Sequence, residues 1–301
     1  MDTTIANKPK QNTNRNLIIL HATVFIWGFT GILGDLISIN AVQMVWYRVL
    51  IASISLFAYF MLSKTNIKVT RNQFLKFFLT GGIVAIHWIF FFHSIKVSNV
   101  SVGLICLSSV TLFTAIMEPL AKKQTISKGD IFIGLVIILG IYLIFKFESQ
   151  YTTGIIFGLM AALAASTFST INSKFVQKTD PSIIGFYEIS GAFFWITLYR
   201  FFDQSIQTET FNLSGADWFY LFILGTICTA LAYVAGVGVM RTLSAFKVAL
   251  VTNLEPVYGI LLALILFGNK EKMTAGFYIG SLLILAAVFI YPIYKKRKNK
   301  A

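Results

Sequence analysis

Ten apolar runs of about 20 residues each decide what this chain can become. They cover 17–36, 42–62, 74–95, 100–121, 130–147, 155–175, 183–202, 218–240, 246–267 and 275–294. As a helix, each is long enough to cross a hydrocarbon core about 30 Å thick. In lipid, backbone N–H and C=O groups must find partners within the segment, which leaves helices as the fold. The expected class is an all-α polytopic membrane protein with ten transmembrane helices. Composition agrees: 56% of residues are hydrophobic and 12% charged, where a soluble chain carries roughly twice that charge. The longest connection runs from about 203 to 217, which leaves no room for a soluble domain. Cys106 and Cys228, the only cysteines, lie inside apolar runs and suggest no disulfide framework.

The net charge of +13 would fit a nucleic-acid partner if it were clustered. Instead the basic residues sit in the short segments between runs. With the N-terminus inside, 19 of the 25 Lys and Arg residues fall on the cytoplasmic side, five fall outside, and Arg48 is left within a span. This bias places both termini in the cytoplasm of a cell with the chain in its cytoplasmic membrane, and no nucleic acid is expected. Residues 1–16 form a polar cytoplasmic tail. No A-x-A-like site ends the first run, so no cleaved signal is read. The basic tail at 295–301 reads as a contact with anionic lipid.

The chain also repeats itself. Residues 98–145 lie over 244–291 at an offset of about 146, pairing Gly134 with Gly280. WGFTGILGD at 27–35 lies over ASTFSTINS at 165–173. This divides the chain into two five-helix halves, 17–147 and 155–294. Five is odd, so the second half enters the membrane from the opposite side. That is the inverted-repeat plan of many secondary transporters, whose sites lie between the repeats near mid-depth.

Polar residues inside the spans are the candidates for function. Glu255 is nine residues into its run, roughly 13–14 Å deep. An acid there is costly and usually faces a bundle interior or wet cavity. Pro256 follows it and deprives the Thr252 carbonyl of its helical N–H donor. Thr252, Glu255 and Tyr258 share one helix face. Arg48 is expected to anchor an anionic group, since a guanidinium makes bidentate pairs. Under the repeat it lies over Glu188, so these two charges could pair across the halves; a snorkelling or structural arginine is the alternative. Trp27, His87, Trp88 and Tyr233 would supply aromatic and hydrogen-bonding walls. Glu118, four residues before Lys122, reads as an interfacial ion pair. The small-residue faces of 155–175 and 218–240, and Gly276 with Gly280, read as packing.

In their order and spacing these features resemble the EamA branch of the drug/metabolite transporter superfamily. The matching elements are Trp27-Gly28, Arg48, the Pro256 helix, and the glycine–acid phrase FGNKEKMTAGFYIG at 267–280. The resemblance implies a ten-helix bundle in which helices 1–4 and 6–9 surround a central cavity, with 5 and 10 peripheral. It also implies transport of small metabolites. Val110 stands where many relatives carry a proline, which departs from strict twofold symmetry of the site. The expected function is a secondary transporter of amino-acid-like or drug-like metabolites, an exporter working by alternating access, with proton coupling through Glu255 as an option. No cofactor or metal is expected, and monomer and homodimer remain open. The rivals are a membrane scaffold or sensor, which would need soluble parts, and an intramembrane enzyme, which would need a motif such as H-E-x-x-H or G-x-S-x-G; neither motif occurs.

Overall fold

The computed structural model describes residues 13–126, 128–203 and 213–298. The first twelve residues of the N-terminal tail, the middle of the longest connection (204–212) and the last three residues of the basic tail lie outside the described residues. All the regular structure described is helical. In chain order the helices are α1 (Thr13–Leu36), α2 (Ala41–Ser63), α3 (Arg71–Val97), α4 (Val100–Leu107), α5 (Val110–Ala121), α6 (Lys128–Phe147), α7 (Thr152–Phe175), α8 (Pro181–Phe202), α9 (Gly215–Gly225), α10 (Ala232–Val239), α11 (Ala245–Thr252), α12 (Leu254–Phe267) and α13 (Ala275–Lys298). A π-helical turn, Thr226–Leu231, joins α9 to α10. Among the described residues, eight continuous or jointed helices are long and apolar enough to cross a membrane: α1, α2, α3, α4–α5, α7, α8, α9–α10 and α11–α12. Two shorter apolar stretches, Phe132–Phe147 and Ala275–Ala287, belong to α6 and α13.

Three runs expected as single helices are jointed instead. The run 100–121 breaks at Ser108–Ser109, where Ser108 N bonds to Ile105 O and Ser109 N to Cys106 O, both at 3.1 Å. These bonds reach back three residues and tighten the turn. The run 246–267 breaks at Asn253, whose N–H reaches back to Leu250 O at 3.3 Å. Pro256 explains the second break. The first occurs without a proline, at two serines whose hydroxyls are buried and make no hydrogen bond. The π turn in the run 218–240 is the third joint.

The bundle packs through small residues, as membrane helices do when there is no hydrophobic force to press them together. At the α3–α8 crossing a methyl group on Gly81 would lie 2.3 Å from Glu188 O, and one on Gly191 would lie 2.9 Å from Phe78 O. Gly28 and Gly259 do the same for α1 and α12. Gly140 and Gly280 bring α6 and α13 together, so Gly280 meets Gly140 in space and not Gly134, its partner in the sequence repeat.

Two acids fasten the jointed helices to each other. The Glu271 carboxylate accepts Val100 N at 3.0 Å, Ser101 N at 2.9 Å and Ser101 Oγ at 2.7 Å, closing the N-terminus of α4. Glu118 accepts Phe246 N at 2.8 Å at the start of α11, and Lys122 Nζ at 2.6 Å. Val100 and Phe246 are sequence mates at the offset of 146. Each jointed helix therefore starts on a carboxylate from the far end of the other, where the dipole favours an anion. Gly268, with φ of 55° and ψ of −118°, turns the chain out of α12 and sets Glu271 in place.

Adding a methyl at Gly81 strikes backbone, which has no flexible end to give way. Gly81→Ala should destabilise the folded protein by at least the roughly 1–3 kcal/mol of an overpacked core. Gly215→Ala, with nothing within 4 Å, should leave unfolding in detergent unchanged. Equal stability of the two variants would contradict the close α3–α8 crossing.

Candidate functional site

A cavity of about 100 Å³ lies between the two halves. It brings together all but one of the residues singled out from sequence: Trp27, Arg48, His87, Trp88, Tyr233, Thr252 and Glu255. Its walls come from α1, α2, α3, α4, α5, α7, the π turn, α10, α11 and α12. No residue of α8 lines it, which differs from the eight-walled cavity implied by the resemblance. The lining continues to Met240, just past the end of α10, and Ala245, the first residue of α11.

Arg48 does not snorkel; it is 2% exposed. Its Nε donates to Thr229 Oγ1 at 2.5 Å, and Thr229 in turn donates to Leu224 O at 2.6 Å, five residues back. The π turn makes room for that hydroxyl, and such turns recur at functional sites. Close approach at Gly225, where a methyl would lie 2.7 Å from Ile51 and 3.1 Å from Arg48 O, seats α2 against the turn. The guanidinium carbon lies 4.3 Å from the Trp88 ring centre and 5.4 Å from that of Phe92. Cation–π contacts return about 0.5–2 kcal/mol, less than the roughly 2.5–3.5 kcal/mol or more that an arginine costs at membrane depth. Nη1 is buried with no hydrogen bond. The guanidinium is thus fixed in position with one N–H group unpaired, and it interacts electrostatically with Glu255, which lines the same cavity. Thr229 was not singled out from sequence, because a threonine on a small-residue face carries no signal of its partner.

Glu255, in the first turn of α12, is 5% exposed and has no hydrogen bond or ion pair to a described residue. It lines both the main cavity and a narrow cleft shared with Ser108, Thr252, Asn253 and Pro256. Thr252 spends its hydroxyl on Val248 O at 2.9 Å. His87 sets Nδ1 2.9 Å from Ala161 O. A carbonyl only accepts, so Nδ1 carries the hydrogen. Trp27 lies over Gly236, where a methyl would come within 2.7 Å of the indole.

The expected Arg48–Glu188 pair does not form. Among the described residues no ion pair joins Arg48 to Glu188 or to Glu255. Glu188 is fully buried on α8 behind the cavity wall. Its Oε2 accepts Tyr233 Oη at 2.7 Å and Asn172 Nδ2 at 2.9 Å. Trp88 intervenes, since its ring meets Tyr233 edge-on at 5.7 Å while its face carries Arg48. Repeat positions pair residues by symmetry, not by contact, and here two aromatic rings fill the space between them. Asn172 is the network member that sequence reasoning left among packing residues.

The EamA-like transporter family pattern matches residues 15–146 and again residues 152–291. The chain belongs to the EamA-like transporter family. Two copies of the family unit thus make up nearly the whole of this multi-pass membrane protein. One solved structure, described only as the crystal structure of a protein, is 13% identical. It superposes with a TM-score of 0.69 over 93% of this chain and 98% of its own, which is a likeness of fold. A search of curated proteins finds no match.

These contacts set a test by double-mutant cycles. Arg48→Leu and Glu188→Leu should act on stability additively, within about 0.3–0.5 kcal/mol, because they share no partner. Glu188→Gln and Tyr233→Phe should deviate from additivity by about 0.5–3 kcal/mol, as hydrogen-bonded neighbours do. Unfolding in detergent reads both cycles. Recovery of stability in the Arg48–Glu188 double variant would show that the charges meet after all.

Proposed function

We propose that this EamA-like protein exports small amino-acid-like metabolites across the cytoplasmic membrane by alternating access. The observation that carries this reading is a cavity lined by Arg48 from one half and Glu255 from the other. A molecule bearing both an anionic and a cationic group would meet an opposite charge at each, with Trp27, Trp88 and Tyr233 against its carbon body. Such few, placed polar groups in a mostly apolar wall are what fix a small ligand. The cavity is smaller than the roughly 300–1,000 Å³ of a typical ligand cleft, so loading would require the halves to part.

The same reading takes the chain as ten spans, with α6 and α13 as the fifth and tenth, arranged as two inverted repeats with both termini in the cytoplasm. The crossed Glu118 and Glu271 contacts support this arrangement. Export is the direction this reading adopts, with the cavity extending toward the side to which the charge bias assigns the cytoplasm. The lining runs to Met240 and Ala245, beside Arg241 on that side. Contacts close both ends: on the outer side Lys270 Nζ pairs with Asp35 at 2.6 Å, Lys96 Nζ donates to Ile37 O, and Ser38 donates to Asp217 through its N–H at 2.7 Å and its hydroxyl at 2.8 Å, while on the cytoplasmic side Gln177 Nε2 donates to Met240 O at 3.0 Å and Arg241 pairs with Asp180 at 3.5 Å.

Reporter fusions after Ala301 and within 203–217 should fall on opposite sides of the membrane; the same side for both would end the ten-span arrangement. Transport is measured in proteoliposomes with labelled amino acids, with and without a pH gradient. If Glu255 holds a substrate ammonium, Glu255→Gln should weaken binding by roughly 10- to 150-fold, the worth of one charge-assisted hydrogen bond of roughly 1.5–3 kcal/mol. Glu255→Asp should weaken it less. If Glu255 carries a coupling proton, Gln should abolish gradient-driven accumulation and spare passive exchange. Wild-type transport by Glu255→Gln at matched expression would remove the acid from the site.

A further inference from the structure

The cleft beside the main cavity has features that metabolite transport does not use. It forms where the two helix breaks cross, and Ser108, Thr252, Asn253, Glu255 and Pro256 line it. Asn253 fixes the crossing: its Nδ2 donates to Ala249 O at 2.7 Å and to Thr111 Oγ1 at 2.6 Å. Because a carbonyl only accepts, that end of the amide must be the nitrogen, and the orientation of Oδ1 follows. Asn253 Oδ1 is buried and has no partner, and the same is true of Ser108 Oγ. Both residues are at least 98% buried, at 1% and 2% exposure. Such groups are normally paired, and each that is not calls for an explanation. Pro256 adds a third oxygen, since it gives the Thr252 carbonyl no helical N–H. The fourth contributor is Glu255, whose carboxylate has no contact cation or donor among the described residues.

We propose that this crossing binds a small monovalent cation, with sodium the size it suits. The ligands would be Ser108 Oγ, Asn253 Oδ1, the Thr252 carbonyl and the Glu255 carboxylate. Hard cations take oxygen ligands of this kind, and sites with a full set of carboxylates suit divalent ions. A single carboxylate balances a single charge. Unwound backbone at crossed discontinuous helices is also where membrane carriers place coupling ions. The cleft has no room for a water-sized sphere, so the ion would enter stripped of its shell, with the four oxygens replacing it. Arg48 lines the adjoining cavity but is engaged by Thr229 and Trp88, and it makes no ion pair with Glu255. The cation would therefore sit on the face of Glu255 away from the metabolite cavity. This inference does not depend on what the cavity carries, because it is read by binding alone.

The test is thermal unfolding of the purified full chain in detergent, without metabolite, in sodium chloride, potassium chloride or choline chloride at equal ionic strength. A ligand that binds only the folded state raises apparent stability. Sodium should raise the unfolding temperature saturably, with potassium weaker and choline inert. Ser108→Ala, which removes one hydroxyl from a buried turn, should raise the half-effective sodium concentration at least fivefold. Ser108→Cys, nearly isosteric but a poor ligand for sodium, should do the same. Glu255→Gln should abolish the response. Equal unfolding in sodium and choline would overturn the proposal and leave a dry packing defect. A sodium response untouched in both Ser108 variants would equally overturn it, by placing the ion elsewhere.

Discussion

A helix that stops in the middle of a membrane leaves backbone groups with no water to bond to, and this chain contains two such stops. Much of the centre of the molecule answers that constraint. The break at Asn253 is held by the Asn253 amide bridging to Thr111 and Ala249. The break at Ser108–Ser109 lies across from it in the most enclosed of the eight spans. Their N-termini, far from the breaks, are closed by Glu271 and Glu118, each from the opposite jointed helix. These two jointed helices are thereby fastened to each other at both ends and in the middle, and the cavity lies alongside that joint.

The two buried charges of the cavity are handled differently. Arg48 is held firmly, by Thr229 and by the faces of Trp88 and Phe92, with one N–H group unpaired. Glu255 makes no hydrogen bond or contact ion pair among the described residues and interacts with Arg48 only at longer range. Glu188, the third, is withdrawn behind Tyr233 and Asn172. The aromatic wall separates Glu188 from Arg48, so the cavity is lined by one guanidinium and one carboxyl group. A chain of contacts still runs from Arg48 through Trp88 and Tyr233 to Glu188, so a change in the wall is felt on both sides.

Packing by glycine is what lets these parts come so close. Backbone meets side chain or backbone at Gly81, Gly191, Gly225 and Gly259, and in lipid such proximity is gained through dispersion and hydrogen bonds, not by expelling water. Large exposed side chains such as Leu62, Ile265 and Phe202 cover the outside, where hydrocarbon is their solvent.

The sequence by itself determined the class, the approximate spans and the repetition, and it pointed to seven residues that line one cavity. Hydrophobic run length, the cost of a charge at depth and the missing N–H of Pro256 are all local facts, and local facts survive folding. It also supplied the Glu118–Lys122 pair, since four residues on a helix are neighbours whatever the fold. It could not supply the break at Ser108–Ser109, where no proline marks the turn, nor the π turn that seats Thr229 under Arg48. Nor could it supply the reach of Glu118 to Phe246, 128 residues away, or of Glu271 to Val100, 171 away. Repeat symmetry put Arg48 over Glu188, but only the packing of Trp88 and Tyr233 decided that the two do not touch. Contacts between distant segments depend on which side chains fill the space between helices, and that is settled when the helices pack.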